Sequence, residues 1–248
     1  VLGRIGQLPA APDVHARLVR SLRQPNVTLA ELAGLVAKDP ALAAQVLRLP
    51  NGPYFGRGQS VSSLEAAAAR LGTRLLSGVV LAAEVFQRFG KPADKFSMDA
   101  FQRHSSLVAR IATGLQPRAP WNDDAFTAGL LHDVGRLVIA AQMAEDFRRI
   151  EKRVAQDGLP RHVIERELLG TDHAVIAAWL LSQWGLPSAV VEAVQRHHDV
   201  PLAGELELDA TVAVAVANRL AHDVEQFSPG TTAANPAAIA AGDPRWPW

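Results

Sequence analysis

A histidine and an aspartate, His132 and Asp133, stand side by side in the apolar stretch "AFTAGLLHDVGRLVIAA" at residues 125–141. The surrounding apolar residues predict a buried helix with this pair in its middle. An unpaired charge inside a protein is costly, so the pair requires a partner. Two explanations account for it: a bound metal ion, or a hydrogen-bonded polar cluster that is the remnant of a metal site.

Histidine-aspartate pairs also occur at 198–199 and 222–223, so the dipeptide alone is weak support for a site. Sequence context distinguishes the three pairs. Only His132 and Asp133 lie in a strongly apolar segment, next to the small Gly135. The pair at 222–223 is expected at the solvated end of a helix, and the pair at 198–199 leads into a loop.

Other predicted helices also carry polar groups on their inward faces. His104 shares a face with Val108, and His198 follows Val194 on another helix, with His197 beside it. A single histidine on an apolar face is more often a satisfied core residue than a ligand. Several of them on different helices are harder to explain in that way.

Two further helices complete this pattern. His173 is predicted to begin the helix that contains "AVIAAWLL", directly after Thr171 as its N-cap, and Asn218 lies one turn from Val214 on the last helix. Groups on several helices thus face a common interior. We predict that five residues converge within ligand distance of one another, with His173 nearby: His104, His132, Asp133, His197 and His198.

The amino-acid composition limits the metal chemistry. The chain has no cysteine, which excludes thiolate metal sites, disulfides and a cysteine nucleophile. Neutral imidazole and carboxylate groups suit divalent iron, manganese, zinc or nickel. Asp133 has two oxygens and could bridge two ions, with hydrogen bonds from surrounding groups fixing the histidine tautomers.

Composition also limits the class of protein. The 248 residues are 48% hydrophobic and 20% charged, as in globular proteins. Lys and Arg number 25 and so do Asp and Glu, so the chain has no net charge, which argues against a nucleic-acid-binding role. No apolar run is long enough to span a bilayer and the first residues lack the pattern of a signal peptide, so we expect a cytoplasmic protein.

Helical spacing of Ala, Leu and Arg extends through almost the whole chain and predicts an all-α fold. We expect an N-terminal helical lobe over about residues 1–90, with a helix break near Gly72, and a second lobe over about 91–227. Residues 228–248 are rich in Pro, Gly and Thr and are predicted to be a tail.

The order of the polar residues resembles the HD superfamily, whose members have a first histidine, a His-Asp pair on a central helix and a late aspartate. The later histidines resemble the second metal site of the cyclic-dinucleotide phosphodiesterase branch, although the Gly-Tyr-Pro signature of that branch is absent from "HHDVPLAGEL". In this chain Asn218 takes the place of the late aspartate. The resemblance implies the following metal ligands: His104, His132, Asp133, His173, His197, His198 and Asn218.

A closer resemblance covers the chain up to about residue 225. The segment "ALAAQVLRLPNGPYFGRGQSVSSLEAAAARLGTRLL" is similar to the N-terminal half of the HDOD domain, the HD-related output domain of bacterial signalling proteins. The segments "LLHDVGRLV", "GTDHAVIAAWLLSQWGLP" and "RHH" are similar to its second half. This resemblance implies an all-helical, HD-like bundle that acts as a regulatory or protein-interaction module, in a family where metal ligands are often lost.

Three functions follow from these patterns. The favoured one is a signalling module that binds a protein partner through its N-terminal half and the 51–62 loop, with a degenerate or structural metal site. The alternative is a metal-dependent phosphohydrolase of a nucleotide or cyclic dinucleotide, with Asp133 and Arg136 as catalytic candidates; a nucleic-acid-binding regulator ranks last. Asn218 is a weaker ligand than aspartate and is expected to donate its amide to Asp133, so we predict little or no hydrolysis.

Overall fold

The computed structural model describes residues 13–22, 24, 26–38, 43–44, 46–47, 61–88, 92–94, 96–199 and 207–227. In this part of the chain the secondary structure is helical, and no strand occurs among these residues. The prediction of an all-α fold is therefore confirmed. The predicted tail over 228–248 lies outside the described residues, as do all but the last two positions of the predicted loop over 51–62.

The N-terminal part includes α1 (Asp13–Leu22), α2 (Leu29–Val36) and α3 (Leu64–Arg88), and residues 43–44 and 46–47 are also helical. A capping box starts α2, because the Thr28 hydroxyl accepts from the Glu31 backbone N–H while the Glu31 carboxylate accepts from the Thr28 backbone N–H. Both α1 and α2 pack against α3. Their buried leucines and valines belong to the same hydrophobic core as the rest of the described chain.

Gly72 bends α3, as predicted from the sequence. Its φ of 76° lies in the left-handed region, which glycine adopts far more readily than other residues. No single helix in the described part of the chain is long and apolar enough to cross a membrane. The two halves of α3, Leu64–Thr73 and Leu75–Val85, reach that length and hydropathy only together, and they are bent by 110°.

The second part of the chain is a bundle arranged around one central apolar helix. Its helices are α4 (Met98–Leu115), α5 (Asn122–Leu131), α6 (Val134–Gln142), α7 (Ala144–Asp157), α8 (Arg161–Leu169), α9 (His173–Gln183), α10 (Ser188–Gln195) and α11 (Ala210–Phe227). The central helix α5 contacts α3, α4, α10 and α11, and α6 packs against α9. Every residue of α5 from Ala125 to Leu131 is buried, which explains why this stretch is apolar on all sides.

The stretch 125–141 is two helices, so the prediction of one helix with the His-Asp pair in its middle is wrong. Helix α5 ends at Leu131, α6 begins at Val134, and His132 and Asp133 form the junction. The His132 ring lies 2.8 Å from the carbonyl of Gly129, which a continuous helix would use for its own backbone ladder. The spacing of apolar residues gives no information about this competition between a side chain and the backbone for the Gly129 carbonyl.

Two other local predictions need correction. The N-cap of α9 is Asp172 and not Thr171: its carboxylate accepts the Val175 backbone N–H at 2.9 Å. His197 and His198 do not continue the face of the preceding helix, because α10 ends at Gln195 and both histidines lie in the turn that follows. In both cases the polar residues sit at helix ends, where backbone groups need partners.

Candidate metal centre

Two histidines in the centre occupy equivalent positions at the ends of different helices. His132 follows α5 and places its Nδ1 2.8 Å from the carbonyl oxygen of Gly129. His197 follows α10 and places its Nδ1 2.6 Å from the carbonyl oxygen of Val194. A carbonyl can only accept, so Nδ1 carries the proton in both rings and Nε2 carries a lone pair. Neither Nε2 has a hydrogen-bond partner among the described residues.

These bare nitrogens point toward the carboxylate of Asp133. Its Oδ1 lies 3.7 Å from Nε2 of His132, 3.7 Å from Nε2 of His197 and 3.1 Å from Nε2 of His173. Its Oδ2 accepts a hydrogen bond of 2.5 Å from Nη1 of Arg136. One oxygen of Asp133 therefore faces three imidazoles, and the other is held by a guanidinium on the first turn of α6.

His173 is positioned by a close helix contact and by a buried carboxylate. A Cβ added to Gly135 would overlap the backbone of His173, so only glycine lets α6 approach the start of α9 this closely. Glu165 on α8 accepts from the backbone N–H of His173 at 2.8 Å and lies 2.5 Å from its Nδ1. A histidine whose outer nitrogen is held by a carboxylate is the common arrangement of metal-binding histidines.

The charge states divide the centre into neutral and protonated rings. Burial lowers the pKa of His132 to about 4 and that of His197 well below its ordinary value, so both rings are neutral near pH 7. Burial also opposes protonation of His173, but the charge of Glu165 and hydrogen bonds to Asp133 and Glu165 outweigh it and raise its pKa to about 9. In the absence of metal, the protonated His173 ring therefore carries a positive charge between the carboxylates of Asp133 and Glu165.

Asp133 remains ionised despite its depth in the fold. Burial alone would raise its pKa, but the positive charge of Arg136 and the hydrogen bond and charge of the protonated His173 lower it well below its ordinary value. The centre thus contains a fixed negative charge surrounded by imidazoles. That combination attracts a cation.

His198 extends the centre toward the surface. Its Nε2 lies 2.9 Å from Nε2 of His173, and its ring stacks on that of His162 with centroids 4.1 Å apart. Burial and the charges of His173 and His162 lower the pKa of His198 to about 2, so this ring is also neutral. His162 was not among the predicted site residues.

Asn218 does not contact Asp133 through the expected amide hydrogen bond. Its Oδ1 lies instead 3.0 Å from Nε2 of His104, across the interface between α11 and α4. The other nitrogen of His104, Nδ1, lies 3.0 Å from Oε2 of Glu225. Burial opposes protonation of His104, but the hydrogen bond to Glu225 and the charges of Asp133 and Glu225 raise its pKa.

The predicted site residues therefore come together in two adjoining groups. In each group the ligand atoms lie within 4.8 Å of one another: His173, His197 and His198 in the first, and His104, His132 and Asp133 in the second. Asn218 borders the second group through His104. The five residues predicted to converge are thus within ligand distance inside each group and not as one set, and metal binding by these residues remains a prediction.

Sequence reasoning missed Glu165, His222 and Glu225. Glu165 shares the buried face of α8 with Leu169, four residues further on, so helical spacing marks it as an inward carboxylate. His222 follows Asn218 by one turn on α11 and is exposed near the end of that helix, as predicted, but its ring also packs 4.6 Å from that of His104. The spacing of four residues between Asn218 and His222 places both on one face of α11, and this could have been read from the sequence.

An all-helical bundle with a buried histidine-aspartate centre is the architecture expected of the HD-like class. The profile of the HDOD domain family matches residues 8–200 of this chain. The chain therefore belongs to the HDOD family.

Known proteins of this kind share the fold over most of the chain. An HDOD domain protein of unknown function from Geobacter sulfurreducens is 25% identical, with a TM-score of 0.75, over 94% of this chain and 79% of its own. A candidate phosphohydrolase from Shewanella amazonensis SB2B is 29% identical, with a TM-score of 0.74, over 96% of this chain and 86% of its own. An uncharacterized protein of Treponema pallidum (strain Nichols) is 28% identical over 222 residues, which are 88% of this chain and 43% of that protein. The chain thus spans less than half the length of this last relative.

Proposed function

We propose that this chain is a signalling module that acts by binding a protein partner, and that its buried centre holds a divalent metal ion in a structural role. The observation that carries this proposal is the closure of the centre. His132, Asp133, His173 and His197 are at most 3% exposed, and of the ligands proposed below only His198 is partly exposed. In structural metal sites the protein fills every coordination position, which a buried ligand set favours, whereas a catalytic site keeps a position open to water and substrate.

The residues of the centre fit a divalent cation. Two buried imidazole nitrogens have no partner among the described residues, and both face an ionised carboxylate. The residues that would hold the ion are His132, Asp133, His173, His197 and His198. When bound, the ion would supply the positive charge that Asp133 attracts and would satisfy the lone pairs of the neutral rings.

Arg136 further supports a structural role over a catalytic one. Its guanidinium binds Oδ2 of Asp133, and its side chain is only 24% exposed. A carboxylate held on one side by an arginine has a single oxygen left for a metal, so bridging two ions through both oxygens of Asp133 would require this ion pair to open. Two well-held ions are the usual requirement for phosphoester hydrolysis by a site of this type.

The test combines metal analysis with an activity screen on the full chain. Protein purified without added metal is expected to contain bound divalent metal, and chelation is expected to lower its thermal unfolding midpoint. His197→Gln should lose both properties, whereas His162→Gln, a matched change at the edge of the centre, should keep both. Absence of metal together with an unchanged midpoint after chelation would contradict the structural role.

The competing candidate is a metal-dependent phosphohydrolase. It is favoured by the three neutral histidines His132, His197 and His198 and by the 29% identity to the candidate phosphohydrolase from Shewanella amazonensis SB2B. In that case Asp133 and Arg136 are the catalytic candidates. Cyclic dinucleotides and nucleotides are therefore screened with added manganese or iron, and turnover that disappears in His197→Gln would establish the enzyme over the binding module.

A further inference from the structure

A second group of metal-binding side chains lies on the outer side of His104, away from Asp133. It consists of His104 on α4 together with His222 and Glu225 on α11. Each offers one ligand atom, and these atoms lie within 4.8 Å of one another. His222 and Glu225 are three residues apart on one helix, so they project from the same face toward α4. Both are exposed, whereas His104 is buried.

The contacts of His104 determine which of its nitrogens faces this group. Its Nε2 lies 3.0 Å from the amide oxygen of Asn218, which can only accept, so Nε2 carries a proton. Its Nδ1 lies 3.0 Å from the carboxylate of Glu225, and the His222 ring packs 4.6 Å away at an angle of 31°. Nδ1 is thus directed outward, toward one carboxylate and a second imidazole.

We propose that His104 Nδ1, His222 and Glu225 form a solvent-facing site for an exchangeable divalent cation of the zinc type. Two imidazoles and one carboxylate are a donor set that suits zinc, nickel or cobalt. Three protein ligands leave at least one coordination position for water or for a ligand from another molecule. A cation here takes the place of the proton that His104 otherwise shares with Glu225.

Asn218 favours this outer site because it is neutral, whereas an aspartate at the same position would carry a negative charge. A neutral amide oxygen accepts the Nε2 proton of His104 without adding negative charge on the inner side of the ring. The only carboxylate in hydrogen-bond contact with His104 among the described residues is therefore Glu225, on the outer side. The neutral amide thus favours an outward-facing role for His104.

This site goes beyond the proposed function and shares only His104 with the residues of the inner centre. Co²⁺ is the probe, because its visible absorption reports the number and kind of its ligands. The full chain, stripped with a chelator, is titrated with Co²⁺ and compared with His222→Gln, Glu225→Gln and the control Asp223→Asn. Asp223 pairs with Arg219 on the same helix and is not among these ligands.

Wild type and Asp223→Asn are expected to bind one more equivalent of Co²⁺ than His222→Gln and Glu225→Gln, or to bind it at least tenfold more tightly. Equal stoichiometry and affinity in all four proteins would overturn the proposal. So would a loss in Glu225→Gln without a loss in His222→Gln, because Glu225 would then only orient His104. If wild type binds a single equivalent that His222→Gln abolishes, the outer site stands and the inner structural metal fails.

Discussion

Replacing Gly135 by alanine tests whether the contact between α6 and α9 positions the centre. An added Cβ would lie within 3.0 Å of the carbonyl oxygen, the carbonyl carbon and the Cα of His173. All three are backbone atoms, so no side-chain rotation relieves the overlap. The start of α9 must move away from α6, and His173 must move with it relative to Asp133, which is now 3.1 Å from its Nε2.

Two effects of Gly135→Ala lower the free energy of unfolding, and one raises it. Overpacking of a buried contact costs about 1–3 kcal/mol, and weakening the buried hydrogen bond between His173 and Asp133 costs about 1–3 kcal/mol more. Alanine in a helix recovers about 0.5–1 kcal/mol relative to glycine. Gly135→Ala should therefore lower the free energy of unfolding by about 1–5 kcal/mol, and the central value of about 3 kcal/mol corresponds to a fall of roughly 6–12 °C in the unfolding midpoint.

The assay is thermal and urea unfolding of the full chain, with and without a chelator. The matched control is Gly34→Ala in α2, where a Cβ meets nothing within 4 Å, so stability should stay equal or rise by up to about 1 kcal/mol. In Gly135→Ala the extra stability given by metal should also shrink, because His173 is displaced. A Gly135→Ala protein as stable as wild type, with the metal effect intact, would refute this account of how His173 is held.

Four further predictions concern the charges of the centre. Arg136→Met leaves the buried Asp133 carboxylate without its cation and should cost about 3 kcal/mol in chelated protein but clearly less with metal bound, as measured by urea unfolding. Because the pKa of His173 is raised to about 9, a metal ion must displace a proton from this ring when it binds. Metal affinity should therefore rise about tenfold per pH unit from about pH 6.5 to 8.5, as measured by calorimetry. An affinity that does not change with pH would argue against His173 as a ligand. Without metal, the same proton stabilises the fold fully below about pH 6.5, and this contribution should be lost as pH rises through about 9. Asn218→Asp adds a carboxylate beside His104 and should raise affinity for Mn²⁺ by about tenfold in chelator competition; an unchanged affinity would show that position 218 does not influence the centre.

Helix existence and the inward-facing histidines could be predicted from the sequence because both depend on periodicity. Helical spacing alone identifies the faces that carry His104 and Asn218. A glycine inside an apolar helical pattern, as at Gly72, indicates a bend or break in the helix. The same spacing also marks Glu165 and His222, two inward or site-facing residues whose side chains went unpredicted. A single helix can present more than one polar residue to a site, as α11 does with Asn218, His222 and Glu225.

Features that depend on competition between side chain and backbone were not predictable in this way. The junction at His132 forms because its imidazole takes the Gly129 carbonyl, and the start of α9 is set by the Asp172 carboxylate and not by the neighbouring Thr171. Both outcomes depend on which of two adjacent polar side chains reaches a backbone group. Apolar periodicity gives no information about that choice.

The two explanations of the His-Asp pair, metal ion or polar cluster, make different demands on hydrogen bonding. A purely structural polar cluster is most stable when every buried donor and acceptor is paired, and each unpaired one costs about 1–3 kcal/mol. Here Nε2 of His132 and Nε2 of His197 are both acceptors, and both face the acceptor Oδ1 of Asp133 at 3.7 Å. Acceptors facing one another repel unless a positive charge lies between them. The proton on His173 can neutralise Asp133, but it cannot bond to the other two rings at the same time, whereas a divalent cation can contact all of them. The arrangement of lone pairs therefore favours a metal ion as the group that this centre is built to hold.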